Sequence, residues 1–261
     1  MDAAQILLVG GGAFLAGGMN AIAGGGTFFS FPALLAAGVP PVMANASNTV
    51  AMWPASLSSA WAYRREVSRH PRWTLLLVLV SLIGGISGSL LLLATSNAAF
   101  SRLVPWLLLV ATSLFAFSGQ ISRGVAAAKA RLGLGAKAAG TPGGVGGLVF
   151  QTIVAIYGGF FGAGMGILTL AALAIQGVDD MQELNGLKNL TSAVNYTVAA
   201  ATFIIAGAIS WPHTLLMIAT AMAGAFAGAA FARRLPAVWL RRLVVAVGGV
   251  LSLIYFIKTY A

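Results

Sequence analysis

Polar side chains suited to holding a small anion occur in two places, each soon after a glycine-rich break in an apolar run. Asn45, Ser47, Asn48 and Thr49 follow the break Gly24-Gly25-Gly26-Thr27, and Asn185, Lys188 and Asn189 follow the break from Gly162 to Gly166. A half-helix that starts at Gly26 or Thr27 carries free amides at the positive end of its dipole, and such ends bind anions. Thr27 can cap that end or contact the ligand, while Gly164 and Gly166 place a like N-terminus across a pseudo-symmetry axis. Lys188 is the only basic residue at such a depth, and it reads either as a counter-charge for an anion or as a lysine snorkelling to the interface. Asn45 and Asn185 suit helix N-caps as well as a binding role. Asn48 and Asn189 lie one turn further in, where an amide is costly in lipid, so the bundle interior is their expected direction. Asn195 and Tyr196 lie deeper on the same segment and are placed to line the same cavity. Trp53, directly before Pro54, either fills a helix kink or faces that cavity.

The elements that must position these residues are membrane helices. Of 261 residues, 59% are hydrophobic and 8% charged, against about 25% charged in soluble domains. The apolar runs are 4–37, 42–63, 74–94 and 103–121, then 144–177, 186–208, 212–232 and 240–260. One crossing needs about 20 residues, so 4–37 and 144–177 are too long for one helix and too short for two. Each contains a glycine break and reads as a helix plus a half-helix. Ala23, Gly25 and Pro32 fall opposite Gly162, Gly164 and Ala171 at an offset of 139, and Asn48 falls opposite Asn189 after a two-residue insertion. The expected organisation is a first repeat (1–121), a cytoplasmic linker (122–143) and a second repeat (144–261).

Charge sets the expected orientation. If each broken run crossed once, nine Lys and Arg would lie inside and six outside; if each begins and ends on one side, thirteen lie inside and only Arg102 and Lys258 outside. The positive-inside rule selects the second arrangement, which makes the halves inverted repeats with both termini outside. Trp61, Trp73, Trp106, Trp211 and Trp239 stand at run ends, where an indole suits the interface. Asp2 and the lack of a nearby Lys or Arg give the N-terminus the wrong sign for a signal peptide, so it reads as a retained first segment.

The net charge of +10 is spread between runs rather than along one stripe, which argues against a nucleic-acid partner. The absence of cysteine excludes disulfides, thiolate metal sites and redox pairs. No run holds a carboxylate pair, a His cluster or a Ser-His-Asp set, so the chain is expected to be no enzyme and to need neither metal nor cofactor.

The motifs AGGGTFFSFPALLAAGVPP (23–41), ASNTVA (46–51), GLKNLTSAVNYTVA (186–199) and AMAGAFAGAAFARRL (221–235) resemble the TauE/SafE family of sulfite-exporter-like membrane proteins, over nearly the whole chain. The resemblance implies an inner-membrane transporter of sulfite, sulfonates or related sulfur-containing organic anions. It points to Gly25, Gly26, Thr27, Asn48, Gly164, Gly166, Lys188 and Asn189. Met165 and Ala171 stand where the family's second motif usually has glycine and proline.

The resulting expectation is an all-α, polytopic inner-membrane protein built as an inverted repeat. Each half has a discontinuous first segment plus three transmembrane helices. Its expected function is alternating-access transport of a small anion held by Gly25, Gly26, Thr27, Asn45, Asn48, Trp53, Gly164, Gly166, Lys188, Asn189 and Asn195. A passive anion channel and a non-transporting structural membrane protein are the alternatives. The partners are the anion and the lipid bilayer; a coupling ion (proton or sodium) and a homo-oligomer stay open.

Overall fold

The apolar runs fold as helices because a backbone in hydrocarbon must satisfy its own polar groups. The computed structural model describes residues 1–22, 25–65, 67, 71–131, 145–176, 178, 180–232 and 237–260. Among them every regular element is α-helical. The first half holds α1 (Ala3–Ile22), α2 (Thr27–Ala36), α3 (Pro41–Ala62), α4 (Pro71–Ala94) and α5 (Asn97–Arg131). The second holds α6 (Val145–Phe160), α7 (Met165–Ile175), α8 (Met181–Ile205), α9 (Trp211–Ala232) and α10 (Ala237–Tyr260). Of the segment 122–143, residues up to Arg131 continue α5 and the rest lie outside the described residues. So do Gly24, Arg69, Asp179 and the Arg233-Arg234 pair.

Both long runs break where the chain turns through conformations that glycine tolerates. Gly25 has φ +84°, and Gly162 and Gly164 have +80° and +78°. Each half-helix then folds back beside the start of its own run. Gln5 at the start of α1 donates from Nε2 to the Ala37 carbonyl after α2 (3.1 Å), and Gln176 after α7 donates to the Gly147 carbonyl in α6 (3.4 Å).

The helices pair across the halves. α1 packs on α9, α4 on both α6 and α8, α3 on both α8 and α9, and α5 on α10. Exchanging α1–α5 for α6–α10 interchanges α1–α9 with α4–α6 and α4–α8 with α3–α9, and leaves α3–α8 and α5–α10 unchanged. The α1–α9 and α4–α6 crossings are made by small residues, as expected of Gly84, Gly88, Gly224 and Gly228. A Cβ on Gly224 would stand 1.9 Å from the Phe14 carbonyl oxygen, and one on Gly88 2.0 Å from that of Ile156.

Among the described residues, four helices are long and apolar enough to cross a membrane, lying in α1, α4, α5 and α10. α3 and α8 are rich in polar residues and pack on each other. The Ser210 N–H donates to Ser47 Oγ (2.9 Å), and Trp53 Nε1 donates to Thr197 Oγ1 (2.9 Å). Position rises along one segment as it falls along the other, so α3 and α8 run antiparallel. Outside, Leu7, Ile205 and Phe226 expose 76%, 87% and 77% of their surface, an apolar coat suited to lipid rather than water. Trp73 departs from its expected interfacial place: it is buried.

Candidate functional site

The two breaks meet at one cavity of about 640 Å³, a size typical of small-molecule sites. Gly25 and Thr27 reach it from the first break, and the whole stretch from Gly162 to Gly166 reaches it from the second. Lys188, Asn189 and Ser192 contribute from α8, and Ser56 and Ser59 from the C-terminal half of α3. Tyr63, just beyond α3, marks the end at which the cavity lies.

The second break supplies free donors. Gly164 in the left-handed conformation starts α7, and the N–H groups of Ile167 and Leu168 turn back to its carbonyl. Among the described residues, the N–H groups of Gly164 and Gly166 have no hydrogen-bond partner. The side chain of Lys188 runs past this turn, with its Cδ 3.6 Å from where a Cβ on Gly166 would stand. Lys188 is the one charged side chain in the cavity wall among the described residues. Gly164, Gly166 and Lys188 thus border one polar space, and two unpaired amides with an ammonium group make a set that suits an anion.

The first break is closed more tightly. Asn20 Oδ1 accepts the Gly26 N–H at 2.8 Å. A Cβ on Gly26 would stand 2.4 Å from the Ala16 carbonyl oxygen, so this glycine serves the close approach of α1 to the turn. Thr27 lies within hydrogen-bonding reach of the Tyr196 hydroxyl, which itself stands near Gly162. Tyr196 therefore bridges the two breaks in the cavity wall.

Of the expected site residues, Gly25, Thr27, Gly164, Gly166, Lys188 and Asn189 come together here, and Gly26, Asn45, Asn48, Trp53 and Asn195 do not line the wall. Asn48 Oδ1 accepts the Ser30 hydroxyl (2.5 Å), tying α3 to α2. Asn45 Nδ2 donates to the Phe160 carbonyl (2.9 Å) and Asn195 Nδ2 to the Ala155 carbonyl (2.8 Å), so both tie helices to α6. Neither Asn45 nor Asn185 is a cap: α3 is preceded by Pro40, and Asp180 caps α8 by accepting the Gln182 and Glu183 amides. Asn20, Ser56, Ser59 and Ser192 line the cavity without having been singled out in the sequence. Only Asn20, an amide in an apolar run six residues before Gly26, carried a usable signal.

The opposite end is sealed by aromatic rings. Phe31 of α2 meets Phe161 edge-on at 5.5 Å, and Phe100 at the start of α5 meets Phe160 at 5.6 Å. Phe31, Phe100 and Phe161 are almost fully buried. The start of α3 is held at the same end, where the Val42 N–H donates to Asn97 Oδ1 (3.0 Å).

The family model described as sulfite exporter TauE/SafE matches residues 9–255, which takes in both breaks, Lys188 and the aromatic seal. The chain belongs to the TauE/SafE family. It is 29% identical over 217 residues to a probable membrane transporter protein of Haemophilus influenzae, covering 83% of this chain and 80% of that one. A probable membrane transporter protein, ORF9, of a Sinorhizobium species is 28% identical over 242 residues, covering 92% and 88%. The probable membrane transporter protein YfcA of Escherichia coli K12 is 25% identical over 241 residues, covering 92% and 85%. No solved structure matches the chain. This TauE/SafE protein is a multi-pass membrane protein, and these three relatives are each described as a probable membrane transporter protein.

Proposed function

We propose that the protein is a secondary transporter that moves a small anion across the bacterial inner membrane by alternating access. One observation carries the reading: two helix breaks, far apart in sequence, meet at a single polar cavity whose charged group is Lys188. Sulfite, a sulfonate or a related sulfur-containing organic anion fits the family description, the free amides of Gly164 and Gly166, and the ammonium group beside them.

The halves act as inverted repeats in this reading. The antiparallel run of α3 against α8 and the fold-back of each half-helix support it. Thirteen of the fifteen Lys and Arg then lie on the cytoplasmic side. The lining of the cavity by Asn20, Ser59 and Tyr63 supports an opening toward that side, and the Phe31–Phe100–Phe161 cluster supports closure at the other. A cavity reachable from one face and sealed from the other is one station of alternating access.

The same seal favours a transporter over a passive channel. In proteoliposomes loaded with unlabelled anion, external labelled anion accumulates by counterflow and then declines. Flux that grows linearly with anion concentration, with no counterflow, marks a channel and overturns the proposal. Sulfite, sulfoacetate, taurine and simple carboxylates, tried in turn, identify the substrate class.

A further inference from the structure

A second cavity, of about 970 Å³, lies outside the transport site, between α1, α2, α5 and α10. Its walls are apolar: Leu8 and Gly12 from α1, Phe29 and Ala36 from α2, Leu251 and Ile254 from α10. Leu8 and Ile254, at 43% and 50% exposure, leave it open sideways to the membrane. The gap breaks the symmetry of the fold. α5 packs along α7, whereas its counterpart α10 touches α2 at only a few points, and the groove is the space left between them.

Depth and charge indicate what fills that space. From Val247 to Lys258 the groove follows α10 for about 16 Å, roughly half the 30 Å hydrocarbon core, which is the depth of one leaflet. At one end stand Arg102 and Lys258, both exposed, with the Thr259 hydroxyl beside them. The ends of α5 and α10 are tied together there, since Tyr260 Oη donates to the Arg102 carbonyl (2.9 Å). Among the described residues, no acidic side chain lines the groove. An apolar trough one leaflet deep, ending in a guanidinium and an ammonium group, complements a lipid with an anionic phosphate headgroup.

We propose that this groove holds one anionic phospholipid, with its acyl chains against α2 and α10 and its phosphate between Arg102 and Lys258. The bound lipid takes the place that α5 takes beside α7. It braces the outer face of α2, whose first residue, Thr27, lines the transport cavity.

The test uses the full-length protein, delipidated in detergent and titrated with phosphatidylglycerol or phosphatidylethanolamine of identical acyl chains, with binding read by native mass spectrometry. One phosphatidylglycerol is expected to bind about 30-fold more tightly than phosphatidylethanolamine, the product of about fivefold for each cation near an anionic lipid. The R102Q/K258Q variant is expected to lose that preference. The A36F variant fills the trough from an exposed position and is expected to lose tight binding of both lipids. Equal affinity for the two lipids in the wild type, or a preference retained by R102Q/K258Q, overturns the proposal. So does tight binding unchanged in A36F, or a dimer that A36F dissociates, which makes a second copy the occupant.

Discussion

Replacing Lys188 with glutamine is expected to reduce anion uptake into proteoliposomes by about 10- to 140-fold, with the protein still folded. The size follows from a hydrogen bond to a charged group, about 1.5–3 kcal/mol, with tenfold for each 1.4 kcal/mol. Glutamine keeps the stem as far as the Cδ that passes Gly166 and loses the charge and one atom of reach, so packing around α7 survives. Lys188→Arg keeps the charge in a wider, planar head and should recover part of the activity. Uptake by Lys188→Gln equal to wild type, in vesicles holding equal amounts of protein, removes Lys188 from the site and reduces it to a lysine snorkelling to the interface.

The largest expected loss of stability lies at the α1–α9 crossing. Gly17→Val places a Cβ 1.9 Å from the Ala221 carbonyl oxygen, and neither backbone can retreat without separating the two helices. Overpacking against a backbone atom is expected to cost more than about 3 kcal/mol, a large share of the stability of an ordinary domain. Gly11→Val on the same helix is the control, because nothing lies within 4 Å of its added Cβ. Size-exclusion profiles and unfolding temperatures should show Gly17→Val aggregated or strongly destabilised and Gly11→Val close to wild type. Equal behaviour of the two variants contradicts the crossing.

Much of this architecture was legible because a few residues admit few interpretations. Gly25 and Gly164 stand in runs of the wrong length and take positive φ, so the breaks could be placed from sequence to within a residue or two. Gly84, Gly88, Gly224 and Gly228 show the spacing of close crossings and sit at them. Lys188 is conspicuous as a lone base in an apolar run and lies in the cavity wall.

The asparagines were harder because sequence gives a helix face but not a depth. Asn45, Asn48, Met52, Ser56 and Ser59 share one stripe of α3, yet the cavity begins only at Met52. α3 and α8 run antiparallel, so matching positions near their N-termini lie at opposite ends of the bundle. Asn189 therefore borders the cavity, while its counterpart Asn48 lies buried against α2 in the sealed half. Serines give still less away. Ser56 and Ser59 donate to the carbonyls of Trp53 and Ala55 on their own helix, which a membrane serine does wherever it faces.

The central claim is that the cavity beside Lys188 binds the anion, and the cysteine-free chain permits a direct measurement. Ser192→Cys places a single thiol in the cavity wall, for labelling with a small environment-sensitive fluorophore before any anion is added. Titration of the purified, labelled protein with sulfite, sulfoacetate and simple carboxylates is then expected to give a saturable emission change with at least one of them, and Lys188→Gln in the same background should abolish it. No saturable response to any of these anions, or a response that persists unchanged in Lys188→Gln, contradicts an anion site between the two breaks.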